Sequence, residues 1–166
     1  MTRTLILIRH AKSAWSDPTL DDYRRPLNAR GERAATALGR WMAGRGLVPD
    51  EVLVSGAERT VRTWAGIAPE LDGTPAMQTE RALYQAGPDA ILDVLHGATG
   101  DRVALIAHNP GIAAFAAKIA ARPPDHPRFP DFPTGATTVL IFDADWADVG
   151  WGDGTVTDFV VPRELE

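Results

Sequence analysis

The chain has 166 residues, 45% of them hydrophobic, enough for about one domain with a sizeable core. Its net charge of -5 argues against a general nucleic-acid or anionic-membrane surface, because those need a basic excess, so any anion site has to be a local cluster. There is no cysteine to form a disulfide framework, a thiol nucleophile or a cysteine-metal site; the N-terminal apolar run is too short for a secretory signal and no stretch reaches membrane length, so the expected location is cytoplasmic.

Leu5-Ile6-Leu7-Ile8 is a short apolar run of the kind that forms a central strand covered on both faces, and it stops at Arg9-His10. A polar loop from Ala11 to Leu27 leads to Asn28, which caps a helix running to about Arg45 and ended by Gly46. Val52 to Ser55 reads as a second buried strand, followed by a helix from about Ala57 to Ile67 and a weaker strand from Ala76 to Thr79. Gly87-Pro88 opens a helix ending at Gly97, with proline at its first position. Arg102 to Ala107 is a further strong strand, after which Asn109 as cap and Pro110 as first residue start a helix reaching about Ala121. Five prolines between Pro123 and Pro133 make a loop, and Thr137 to Phe142 and Thr155 to Val161 read as strands around a glycine-rich turn. The alternation predicts an α/β fold: a three-layer α/β/α sandwich with a mostly parallel sheet and an antiparallel edge at the C-terminus. Residues 1–166 contain no internal repeat or linker and read as a single domain.

Unusual polar residues fall at the C-terminal ends of these strands. Arg9 and His10 follow the first, Ser55 and Arg59 the second, Glu80 the third and His108 the fourth. Parallel strands bring those ends to one edge of the sheet, where open α/β folds bind ligands. Arginine offers a planar, permanently charged fork for phosphate oxygens, and neutral imidazole can act as nucleophile or proton carrier. The helix starts after Ser55 and His108 add backbone N–H groups and positive dipole ends. These features predict a phosphate pocket built without a P-loop.

Leu5-Ile-Leu-Ile-Arg-His-Ala-Lys-Ser-x-Trp15, Arg25-Pro26-Leu27 with Gly31, Ser55-x-x-x-Arg59-x-x-x-Thr63, Leu83-Tyr84, His108-Asn109-Pro110-Gly111 and Thr134-Gly135-Ala136 occur in that order along nearly the whole chain. Together they resemble the histidine phosphatase superfamily, of phosphoglycerate mutase-like fold, and within it the short SixA-like phosphohistidine phosphatases. The resemblance implies His10 as the nucleophile that accepts the phosphoryl group. It implies Arg9, Arg59 and His108 as the groups that hold the phosphate oxygens, with Ser16 as a further phosphate contact. It requires no metal or other cofactor, because the arginines supply the positive charge. Two positions depart from the usual family pattern: Ala11 replaces the glycine of Arg-His-Gly, and Gly56 stands where Ser-Pro is common. Glu80 is the candidate proton donor for a leaving alkoxide.

The expected activity is dephosphorylation of phosphohistidine in a protein such as a phosphotransfer domain, since a chain with few insertions leaves an open pocket. The alternatives are a small-molecule phosphomonoesterase, with a small phosphate ester as partner, and a non-catalytic phosphoprotein-binding module. No nucleic acid or membrane is expected as partner. Glu80 also reads as a simple helix-start carboxylate, and Lys12 equally as a phosphate-rim charge or an ordinary loop lysine. His96 and His126 read as exposed. Trp15, Trp41, Trp64, Trp146 and Trp151 read as packing residues, with Trp15 placed to line a pocket mouth. Gly150-Trp-Gly-Asp-Gly154 lacks dinucleotide spacing and reads as a hairpin turn.

Overall fold

In a computed structural model that describes residues 2–166, the apolar runs become the middle of one six-stranded sheet. The strands are β1 (Arg3–Arg9), β2 (Glu51–Val54), β3 (Gln78–Thr79), β4 (Arg102–Ala107), β5 (Thr137–Phe142) and β6 (Thr155–Val160), in the spatial order β3-β2-β4-β1-β5-β6. Strands β3, β2, β4 and β1 are parallel, whereas β5 runs antiparallel to β1 and β6 antiparallel to β5. The helices are α1 (Ala29–Gly44), α2 (Glu58–Ile67), α3 (Pro88–His96) and α4 (Gly111–Ile119).

Alternation along β1 shows why three layers form. Leu5 and Leu7 pack with Ile91 and Leu95 of α3 and Ile112 and Phe115 of α4, whereas Ile6 and Ile8 pack with Leu38 and Met42 of α1 and Trp64 and Ile67 of α2. All four β1 side chains are fully buried, each worth roughly 1.5–3 kcal/mol of apolar transfer. Between Leu5 and Ile8, where both faces are covered, the strand carries no polar side chain.

Element ends depart from the sequence reading in instructive ways. The first strand extends to Arg9, which pairs with Ala107, because ladder hydrogen bonds are made by backbone whatever the side chain. Strand β3 is only Gln78–Thr79, both exposed; an edge strand with no apolar face has little to hold a longer ladder. Helix α4 begins at Gly111 and ends at Ile119, so Pro110 is the capping residue and Asn109 precedes it. Asn109 still works as a clasp: its Oδ1 accepts from the Ala113 N–H at 3.2 Å and its Nδ2 donates to the carbonyls of Asp131 and Phe132. That clasp ties the proline-rich loop to the start of α4.

Asn28 caps α1 as expected, accepting from the Gly31 N–H at 2.8 Å, and Gly46, at φ 67°, follows the helix end. Gly31 also permits close approach, since a Cβ there would lie 2.0 Å from the Lys12 carbonyl oxygen. The start of α1 thus presses directly on the loop that leaves β1. His96 and His126 are half-buried rather than exposed; His96 Nε2 donates to the Val149 carbonyl at 2.7 Å, and His126 lies 3.2 Å from Glu164. Trp64 and Trp146 are buried, but Trp151 stays at the surface against Phe115 and Lys118.

Candidate active site

The C-terminal ends of β1, β2 and β4 open onto a cavity of about 1090 Å³ whose lining includes Arg9, His10, Ser16, Arg59 and His108. Four of these residues converge because parallel strands end at one edge; Ser16 arrives on the loop after β1. Lys12 and Trp15 line it as well, and Trp15, 77% exposed, carries the Arg25 guanidinium 3.6 Å from its ring centre. Glu80 follows β3 and donates its backbone N–H to the Val54 carbonyl, but it does not line the cavity. The two-residue β3 ends at the far edge of the sheet, separated from β1 by β2 and β4.

His10 is held by backbone on two sides. Its N–H donates to the Ala107 carbonyl, and its Nδ1–H donates to the Ala11 carbonyl at 2.7 Å. A carbonyl only accepts, so Nδ1 carries the proton and the lone pair sits on Nε2. Ala11 is itself pinned, its N–H donating to Thr63 Oγ1 at 3.0 Å, while that hydroxyl donates to the Arg59 carbonyl at 2.7 Å. The third residue of the Ser-x-x-x-Arg-x-x-x-Thr pattern thus supports the peptide that orients His10. Burial pushes the His10 pKa down to about 3, and the neighbouring His108, Arg9 and Arg59 act in the same direction. The imidazole is neutral at physiological pH.

His108 lies with its ring 5.3 Å from that of His10 and its Nε2 2.7 Å from Ser55 Oγ. Burial, then Arg59, lowers its pKa to about 4. Among the described residues its Nδ1 is buried with no partner, as are the Nε atoms of Arg9, Arg25 and Arg59 at the cavity and of Arg3 and Arg102 away from it. An arginine Nε–H buried without a partner is costly unless an acceptor arrives, and an oxyanion in the cavity that Arg9, Arg25 and Arg59 line is such an acceptor. Arg9 also donates Nη1 to the Phe132 carbonyl at 3.2 Å.

The carboxylate in the cavity wall is Asp22, from a 3-10 turn at Asp22–Arg24. Its Oδ2 accepts from Arg59 Nη2 at 2.9 Å and from the Tyr84 hydroxyl at 2.7 Å, its Oδ1 from Arg25 Nη2 at 3.2 Å, and its carbonyl from Arg59 Nη1. Burial opposes ionisation, but the hydrogen bonds from Tyr84, Arg59 and Arg25 outweigh it and hold the carboxyl at about 2. Asp22 is therefore an acceptor that braces Arg59 and Tyr84, not a stored proton. Sequence reasoning missed it, because Asp21-Asp22-Tyr23-Arg24-Arg25 looks like any solvated charged loop. The signal available was the motif positions Arg25 and Tyr84 on either side of it. Gly56 belongs to the same arrangement: a Cβ there would stand 2.0 Å from the Tyr23 hydroxyl, and the Tyr23 ring packs edge-on against Tyr84.

Comparison with known proteins gives a consistent picture. Residues 5–85 match the profile of the histidine phosphatase superfamily (branch 1). An uncharacterized chloroplastic protein of Arabidopsis thaliana is 38% identical over 73 residues, 44% of this chain and 34% of that one. A 2,3-bisphosphoglycerate-dependent phosphoglycerate mutase of Chelativorans sp. is 40% identical over 81 residues, 48% of this chain and 39% of the mutase. The chain thus spans between a third and two fifths of the length of these curated relatives. Among solved structures, a candidate phosphohistidine phosphatase SixA from Nakamurella multipartitia superposes with a TM-score of 0.84 at 28% identity, covering 98% of this chain and 97% of that one. Another from Agrobacterium tumefaciens gives 0.78 at 27% identity, covering 96% and 99%. A SixA protein histidine phosphatase complexed with tungstate gives 0.81 at 22% identity, over 98% and 99%, a likeness of fold.

Proposed function

The chain belongs to the histidine phosphatase superfamily, and from that premise we propose that it is a phosphatase working through phospho-His10 on phosphohistidine carried by a protein, such as a phosphotransfer domain. The observation that carries the proposal is the neutral, buried His10 with Nδ1 locked on a carbonyl and Nε2 left as the nucleophilic atom, beside Arg9, Arg59 and His108. The bond balance is simple. Nε2 attacks phosphorus as the phosphorus–nitrogen bond to the substrate imidazole breaks; water then attacks phospho-His10, releasing inorganic phosphate and restoring the free imidazole. Arg9, Arg59 and the Nδ1 of His108 hold the oxygens while charge develops, which makes the reaction metal-independent in this account.

The leaving group selects the substrate class. An alkoxide needs a protonated acid beside it, and Asp22, the carboxylate in the cavity wall, is held ionised at about pKa 2. An imidazole ring, with a reference pKa of about 6.5, takes its proton before it leaves and needs no such acid. The test is phosphate release from a histidine-phosphorylated phosphotransfer protein in the presence of chelator, comparing wild type with His10→Ala. Release by wild type alone is expected; no release by wild type would overturn the substrate assignment in favour of a small phosphate ester or a binding role.

A further inference from the structure

A second cavity of about 700 Å³ adjoins the first, and the two share Lys12 and Thr134 in their walls. Its charged lining is one-sided: Lys12, Arg30, Arg33, Arg128 and Arg163 stand with one acidic residue, Glu166. Two of those cations are already answered, Arg30 by Glu166 at 3.3 Å and Arg128 by Asp131 at 3.0 Å. Lys12, Arg33 and Arg163 have no ion pair among the described residues. They come from three separate places: the loop after β1, helix α1, and a 3-10 turn at Pro162–Leu165. In a chain of net charge -5 such a gathering of like charge runs against the overall balance, and it sits directly beside the nucleophile's pocket.

Resting on the phosphohistidine reading above, we infer that this hollow docks an acidic protein surface that flanks the phosphorylated histidine. The uncommitted cations are all exposed, so they do not enclose and dehydrate one small anion as Arg9 and Arg59 can. Exposed, spaced cations instead match several carboxylates spread over a partner's surface, steering encounter and fixing orientation. The shared wall at Lys12 and Thr134 makes the two engagements continuous: phosphoryl group in the deep cavity, acidic flank in the basic one. The negative charge elsewhere on the chain repels an acidic partner from other approaches.

The test uses two peptides of equal length, one with glutamates flanking the phosphohistidine and one with serines. Binding is read by fluorescence anisotropy with a non-hydrolysable phosphohistidine analogue, and turnover separately by phosphate release. They are applied to wild type and to Arg33→Glu/Arg163→Glu, two positions that do not line the catalytic cavity. The wild type is expected to bind the glutamate peptide about 5- to 10-fold more tightly than the serine peptide at low salt, a preference that high salt erases. The double variant is expected to lose the preference while handling the serine peptide as the wild type does. Equal binding of both peptides by wild type, or an undiminished preference in the variant, would overturn the inference. An intact binding preference with no turnover of either peptide would leave docking in place and sink the phosphatase reading instead.

Discussion

His10 is neutral because folding removes water from it and gives its Nδ1–H a carbonyl, and both facts have consequences for pH. His10 and His108 have pKa values lowered to about 3 and about 4, whereas the unfolded chain takes up those protons near the ordinary histidine value. The unfolded state therefore binds more protons below about pH 6.5, so the stability of the neutral pair is fully present above that pH. It is lost as pH falls towards 4, by up to about 1.4 kcal/mol per pH unit for each histidine. Urea unfolding at pH 7.5 and 5 checks this: the midpoint should fall at pH 5, and fall less in His10→Asn, whereas a midpoint unchanged between the two would contradict it. Activity should separate Arg59 from Glu80. Arg59→Ala is expected to cost about 100- to 1000-fold in kcat, as removal of a charge-stabilising donor does, while Glu80→Gln should stay within about twofold. Steady-state assays on the phosphohistidine protein measure both, and a large loss in Glu80→Gln would contradict the placement of that residue outside the cavity. Arg9, His10 and His108 could be placed at the pocket from the sequence because each stands at or just beyond a strand end, and Arg59 because it lies in the first turn of the helix that follows β2. Asp22 was not, since its meaning comes from Arg59 and Tyr84, 37 and 62 residues away along the chain.

At the scale of elements, the start of α1 and the loop leaving β1 form one unit. The Asn28 N–H donates to the Lys12 carbonyl at 3.0 Å, and Gly31 lets the helix backbone come down onto that same oxygen. Gly31→Ala would put its Cβ 2.0 Å from Lys12 oxygen, a clash with backbone that side-chain motion cannot relieve. Gly44, at the other end of the same helix, meets nothing within 4 Å. Thermal unfolding should therefore move in opposite directions for one chemical change: Gly31→Ala destabilised, Gly44→Ala stabilised by roughly 0.4–1 kcal/mol through lost unfolded-state freedom. Two shifts of the same sign would contradict the close-approach account. The helix and strand pattern was readable because burial period and capping residues agree along most of the chain. Two of the departures, a two-residue β3 and an α4 that starts at Gly111, occur where the sequence has weak periodicity or where a side chain clasps a distant loop.

Across the whole molecule, the parallel strands β1, β2 and β4 deliver the polar groups to one edge while the antiparallel pair β5 and β6 closes the other side of β1. Among the described residues no helix is long and apolar enough to cross a membrane. The layer order followed from the alternation of strands and helices, but the basic hollow beside the pocket did not, because four separate stretches of the chain supply its cations. Everything in the account turns on one covalent bond, that between phosphorus and His10 Nε2. The measurement that tests it most directly is rapid alkaline quenching during turnover, followed by mass spectrometry of the peptide containing residue 10. A phosphoryl adduct on His10 that forms and decays at the rate of phosphate release is the predicted result; turnover at the wild-type rate in His10→Ala, or an adduct on any other residue, would contradict it.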